Sequence, residues 1–232
     1  MRISEVFNSN EKVSNKKKLT WGLIITGAMS VVVILAVIFG SEAGLFTIKM
    51  TKEASNKGIA ISESLDFSKN LTELMVDSLG NLEDTIEEDL DVEKASNTNG
   101  QYYIEGQNYL AYTFYLKNIG EEVVHINYRS TITDESNNVG NAVKIKVLSS
   151  RKTNEEFGVV TNKVYQRVDS NTIVSEDIMN FIPNEVMKFT FFIWLDGYLT
   201  DATMKGGELK LSWVISIINA GEVLWENYIY HY

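Results

Sequence analysis

Cysteine is absent from the chain, which removes disulfides, thiolate metal sites and cysteine nucleophiles from consideration. A single proline, Pro183, leaves glycine, asparagine and aspartate to make most of the turns. Histidine occurs only as His125 and His231, and no HExxH sets two imidazoles on one helical face for zinc. Neither a Walker loop nor a GxGxxG is present, so the backbone cradles of nucleotide enzymes are missing. The GxSxG elbow is missing too, and the SxxK pair at Ser149 and Lys152 lacks its downstream companions. Positive charge is scarce: the formal net charge is -10. Arg2, Lys12, Lys16, Lys17 and Lys18 against Glu5 and Glu11 give residues 1–20 a charge of +3, which leaves -13 for the rest. Such an acidic body repels phosphate backbones, so no nucleic-acid partner is expected.

What the chain does contain is a core. Its 232 residues are 44% hydrophobic and 11% aromatic, enough for one packed domain with a short extra element. The strongest local signal lies near the start, where no residue from Trp21 to Phe39 is charged. A helix rises ~1.5 Å per residue, so a run of this length spans a hydrocarbon core ~30 Å thick. Trp21 sits where an interfacial aromatic belongs, and Lys16–Lys18 precede the run with no matching cluster after it. By the positive-inside rule the N-terminus is cytoplasmic and everything from Glu42 onward is outside. Three regions are expected: a basic tail (1–18), a signal-anchor helix (19–41) and an extracellular domain (42–232). Ser41-Glu42-Ala43 also offers small residues at signal-peptidase spacing, so secretion after cleavage behind Ala43 is the alternative. The apolar run exceeds the ~7–15 residues of a cleavable core, which favours a retained single-pass anchor.

Past the run, hydrophobic periodicity is mostly two. Segments 45–50, 58–62, 109–118, 123–133, 142–148, 186–197, 209–217 and 224–232 alternate or are rich in β-branched and aromatic residues. The expected inward sets include Phe46, Ile48 and Met50; Leu110, Tyr112, Phe114 and Leu116; and Met187, Phe189, Phe191 and Ile193. Leu71, Leu74, Met75 and Leu79 fit helical spacing, which predicts a short helix over 71–78, ended by Gly80. Many strands with short Gly/Asn turns and hardly any helix predict a mainly β domain, an antiparallel β-sandwich.

Carboxylates are the remaining chemistry. The run from Glu83 to Glu93 includes Glu87, Asp89 and Asp91, and the loop between Trp194 and Trp213 carries Asp196 and Asp201. Ca²⁺ takes several oxygen ligands, so these five residues are its weak candidates outside the cell. No EF-hand spacing is present, and a solvated acidic surface accounts for the same residues. In the second loop, strand alternation turns Asp196 outward, and the loop reads as a sandwich corner or a crossover between sheets. "DESNNVG" (134–140) serves as a hairpin connection. No cofactor is expected, and no enzymatic activity.

"GLFTIKMTKEASNKGIAISES", "YLAYTFYLKNIG" and "FFIWLDG…KGGELKLSW" occur in that order. Together they resemble the camelysin/TasA-like proteins of Firmicutes, which include biofilm-matrix fibre subunits and spore-coat-associated proteins. The resemblance implies a jelly-roll-like sandwich that is exported and has structural or surface-assembly roles. It also implies that an N-terminal strand is donated to a neighbouring subunit or a partner protein. Here that strand would hold Leu45, Phe46, Thr47, Ile48 and Met50. Two departures stand out: the long N-terminal apolar run and the aromatic stretch 224–232. The reading is therefore a membrane-anchored surface protein of structural or assembly type. A Ca-dependent adhesive or ligand-binding module and an exported hydrolase are the alternatives.

Overall fold

The computed structural model describes residues 46–69, 71–77, 83–153 and 156–218. The chain divides into two compact units, 1–43 and 44–232, and every described residue belongs to the second. The expected anchor helix with Trp21 and Phe39, Leu45, the helix end at Leu79 and Gly80, and the aromatic stretch 224–232 all lie outside the described residues. Among the described residues no helix is long and apolar enough to cross a membrane.

Among these residues eleven strands form two sheets, largely antiparallel, as the alternating segments predict. Sheet A is built from β1 (Phe46–Met50), β3 (Glu73–Val76), β6 (Val124–Glu135), β9 (Thr172–Phe181) and β11 (Leu209–Ile217), in the spatial order β3-β1-β11-β6-β9. Sheet B contains β2 (Ile59–Ser62), β5 (Tyr109–Asn118), β7 (Val143–Thr153), β8 (Glu156–Gln166) and β10 (Val186–Leu195), in the order β2-β5-β10-β7-β8. Beyond β2, the same edge of β5 also pairs with the short β4 (Gly100–Tyr102). Short helices α1 (Lys52–Asn56) and α2 (Val92–Ser96) complete the described elements, with three single turns of 3-10 helix.

The sheets face each other across one core. The inward sets named from the sequence all reach it, joined by Val124, Ile126, Tyr128, Val143, Ile145, Val147, Trp213 and Ile215. Sheet B carries a second, smaller core on its other face. There Tyr109, Ala111, Phe192 and Trp194 are covered by Leu90, Ala95 and Tyr102 from the segment around α2 and β4. Polar groups hold that cover down. The Thr113 hydroxyl donates to the Ala95 carbonyl at 3.1 Å, the Asp91 N–H donates to the Tyr109 hydroxyl at 3.1 Å, and the Tyr115 hydroxyl donates to Asn99 Oδ1 at 2.8 Å. β5 and β10 are thus buried on both faces, which explains their near-continuous apolar sequence.

Two expectations are corrected, and two strands are added. Residues 73–76 form strand β3 in place of a helix: Leu74 and Val76 are buried against β1 while Met75 between them is 65% exposed. Leu71, Leu74 and Met75 satisfy a helical spacing, but the edge of β1 rewards a period of two. The 134–140 segment is no hairpin, because β6 and β7 belong to different sheets, so it crosses between them. β8 and β9 went unread in the sequence. Each lies at a sheet edge, and β8 is exposed along nearly all its length, so burial writes little pattern into it.

If the outer layer is a true core, Phe192→Ala should destabilise the protein by ~3–5 kcal/mol, as a buried Phe does elsewhere. Urea unfolding measures this, and a loss below about 1 kcal/mol would mean that the cover detaches without consequence.

Candidate functional site

Two regions hold the residues singled out from the sequence: strand β1 and one end of the sandwich. β1 stands between two neighbours. It runs antiparallel to β3, pairing Phe46 with Val76 and Ile48 with Leu74, and parallel to β11, pairing Thr47 with Ser212 and Met50 with Ile215. Every other named-strand pairing is antiparallel. Phe46, Ile48 and Met50 point into the core, with the Phe46 ring centroid 4.9 Å from that of Phe191, and Thr47 and Lys49 lie on the other face. At its end the strand is fastened on both sides: the Met50 N–H donates to the Thr72 carbonyl at 3.0 Å and the Thr51 N–H to the Ile215 carbonyl at 2.9 Å. Thr51 then caps α1 by accepting from the Ala54 N–H at 3.3 Å.

The carboxylate candidates gather at the end of the sandwich where β1 begins. The segment at 83–91 runs beside the end of β10: the Thr85 N–H donates to the Leu195 carbonyl and the Gly197 N–H to the Thr85 carbonyl, each at 2.9 Å. Asp196 lies beneath this crossing and is only 3% exposed, so the outward placement predicted from alternation is wrong. The alternation ends with the strand, and a distant segment covers the residue just beyond it. Asp196 is ion-paired with Lys144, accepts from the Tyr198 N–H at 2.9 Å, and its own N–H donates to the Ala142 carbonyl at 2.8 Å. Burial opposes its ionisation, yet the Lys144 ammonium and the Tyr198 N–H outweigh that cost and hold its carboxyl below the usual range.

The other four carboxylates have separate structural partners. Glu87 meets the Lys146 ammonium at 2.6 Å, and Asp89 accepts from the Thr85 hydroxyl at 3.3 Å. Asp91 caps α2 by accepting from the Lys94 N–H at 3.2 Å and also accepts from the Tyr102 hydroxyl at 3.2 Å. Asp201 caps the 3-10 turn Ala202–Met204, accepting from the Thr203 N–H at 2.7 Å. Bonds from Lys94 to Asp91 and from Thr203 to Asp201 lower both carboxyl pKa values. Among the described residues no three His, Asp or Glu side chains converge as a metal would require.

The loop from Asp196 to Glu208 is a crossover, since β10 and β11 lie in different sheets. Gly207 packs where a Cβ would sit 2.9 Å from both the Met204 and Ser136 carbonyl oxygens. Its neighbour Gly206 takes a φ of +71°, a conformation that glycine adopts at little cost. The hydrolase candidates lie on different strands, His125 on β6 and the Ser149–Lys152 pair on β7. His125 accepts from the Asn180 N–H at 3.0 Å through Nδ1, and His231 lies outside the described residues. Ser149 faces the core, and Lys152, three residues along the same strand, falls on the opposite face. No family model, curated protein or solved structure matches this chain.

The sign of the Asp196 shift sets a pH test. A carboxyl depressed in the folded state adds stability above its unfolded pKa of ~3.9, and that stability is lost as pH falls through the folded value. Asp196→Asn should therefore cost ~1–3 kcal/mol at pH 7, less than a fully buried pair because Lys144 keeps some contact with water. In urea unfolding the gap between variant and wild type should close below about pH 4. A gap independent of pH would mean that the ion pair contributes nothing. For Ca²⁺, melting curves with and without chelator are expected to coincide; a rise in melting temperature at millimolar Ca²⁺ would restore the cation reading.

Proposed function

We propose that this chain is a membrane-anchored, extracellular structural or assembly protein whose outer sandwich joins partner protein or other copies of itself by β-strand addition. The carrying observation is the position of β1. Without it, β3, β11, β6 and β9 would alternate in direction throughout, opposite the series β5-β10-β7-β8. That arrangement is jelly-roll-like, and β1 is a strand wedged into it between β3 and β11.

Energetics support exchange at such a slot. Burying Phe46, Ile48 and Met50 is worth ~1.5–3 kcal/mol each, so a vacant slot would cost a large share of the ~5–15 kcal/mol that holds a typical domain together. A strand of the same sequence from another copy would recover the same burial and the same ladder bonds, so self- and cross-insertion are nearly degenerate. Local concentration then decides between them. The uncharged run from Trp21 to Phe39 would confine copies to one bilayer and raise that concentration. The order of the short motifs in 44–217 and their likeness to the camelysin/TasA-like proteins agree with this assignment, and no enzymatic chemistry is needed for it.

Deleting residues 45–50 should leave a protein that captures a synthetic peptide spanning Gly44–Thr51. The same peptide with Ile48→Asp should bind at least 100-fold more weakly, because an unpaired carboxylate would enter the core. Isothermal titration and size-exclusion chromatography read the two outcomes. Equal binding of both peptides, or an unchanged balance of monomer and polymer after the deletion, would refute strand addition.

A further inference from the structure

We infer that the end of the sandwich at which β1 begins is a lipid-docking surface that rests on the outer leaflet of the membrane. The inference builds on the anchor reading and adds to it a defined contact face.

The strand directions fix which loops share that end. β1 begins there, and so does its parallel neighbour β11. β6 and β10 finish there, and β5 and β7 start there, because each pairs antiparallel with the next. The connections 103–108 and 196–208 therefore emerge together, from the neighbouring strands β5 and β10. They carry Tyr103, Ile104, Tyr198 and Leu199, all exposed. Tyr103 and Tyr198 are 65% and 81% exposed, and no other aromatic ring among the described residues is as open. Exposed apolar residues at the opposite end, such as Ile119 and Ile182, are aliphatic. Tyrosine, with an apolar ring and a polar tip, is the residue type that sits at a bilayer surface.

Chain length supplies the occupant. Only residues 40–45 link the uncharged run to β1, and at ~3.5 Å per residue this link reaches at most ~25 Å. A ten-residue strand such as β10 separates the two ends of the sandwich by ~33 Å. If the run spans the bilayer, the tyrosine-bearing loops are the part of the sandwich in reach of lipid. Asp84, Glu105 and Asp201 share this end and outnumber Lys205 of the 196–208 connection, so the contact would favour zwitterionic over anionic headgroups.

The absence of cysteine makes the test direct. Full-length protein in phosphatidylcholine vesicles would carry one spin label at a time, on Val33→Cys, Glu105→Cys, Tyr198→Cys, Ile119→Cys or Ile182→Cys. Accessibility to membrane-dissolved oxygen against an aqueous nickel chelate reports depth. The expected pattern is lipid exposure at 33, interfacial values at 105 and 198, and fully aqueous values at 119 and 182. Adding Tyr198→Ser and Leu199→Ser should shift the label at 105 to the aqueous value. Labels at 105 and 198 as aqueous as that at 119, with 33 still in lipid, would overturn the docking surface and leave the anchor intact. An aqueous label at 33 would overturn both.

Discussion

The ring of Phe191 is the point on which the sandwich converges. Its centroid lies 4.9 Å from Phe46 of β1, 5.3 Å from Trp213 of β11 and 5.9 Å from Tyr112 of β5. Trp213 stacks in turn on Tyr128 of β6 at 5.6 Å. One aromatic cluster therefore ties the central strands of both sheets together, and β1 joins it through a single ring. The next residue on β10, Phe192, faces the opposite way and anchors the outer layer. Because β10 is buried on both faces, the outer cover and the inner core share one backbone, and neither shifts without moving the other.

β1 has a different status from the strands around it. It is five residues long, it makes the one parallel ladder among the described strands, and in the sequence only residues 40–45 separate it from the uncharged run. Its contribution is concentrated in three side chains and two ladders, all of which another copy of the same segment would reproduce. Strand addition asks for that combination: a slot with strong apolar selectivity, filled by a short segment with few contacts elsewhere. The membrane reading and the strand-addition reading support each other physically. A bilayer would orient the copies, bring the start of β1 in each close to the next, and set the tyrosine-bearing end against lipid.

The acidic residues first stand out as candidate cation ligands, but local geometry gives each a separate task. Asp91 and Asp201 cap short helices, Glu87 and Asp196 neutralise lysines of β7, and Asp89 braces its own turn. Short helices and tight crossovers leave backbone N–H groups without ladder partners, and a carboxylate satisfies them at low cost. Within 83–93, Glu87 thus fastens the irregular cover to β7 of sheet B, while Asp89 and Asp91 hold the cover's own turns.

By itself the sequence determined which residues face the main core, because one buried face and one wet face write a period of two into a strand. Phe46, Ile48 and Met50 were legible for that reason, as were the inner faces of β5, β6, β7, β10 and β11. It left β8 unread, because an edge strand with little burial carries little pattern, and β9 too, whose buried Ile173, Val174, Ile178 and Phe181 follow no single period across two irregularities in its pairing with β6. It misread 71–78, where Leu71, Leu74, Met75 and Leu79 fit a helical period and only the pairing with β1 selects a strand. Only the tertiary structure decided that Asp196 is buried, since the segment that covers it lies more than a hundred residues earlier in the chain. The tertiary structure alone also wedged β1 between β3 and β11, since strand order depends on which hydrophobic faces meet in space. Alternation within one strand says which face turns inward; it carries no record of the neighbour.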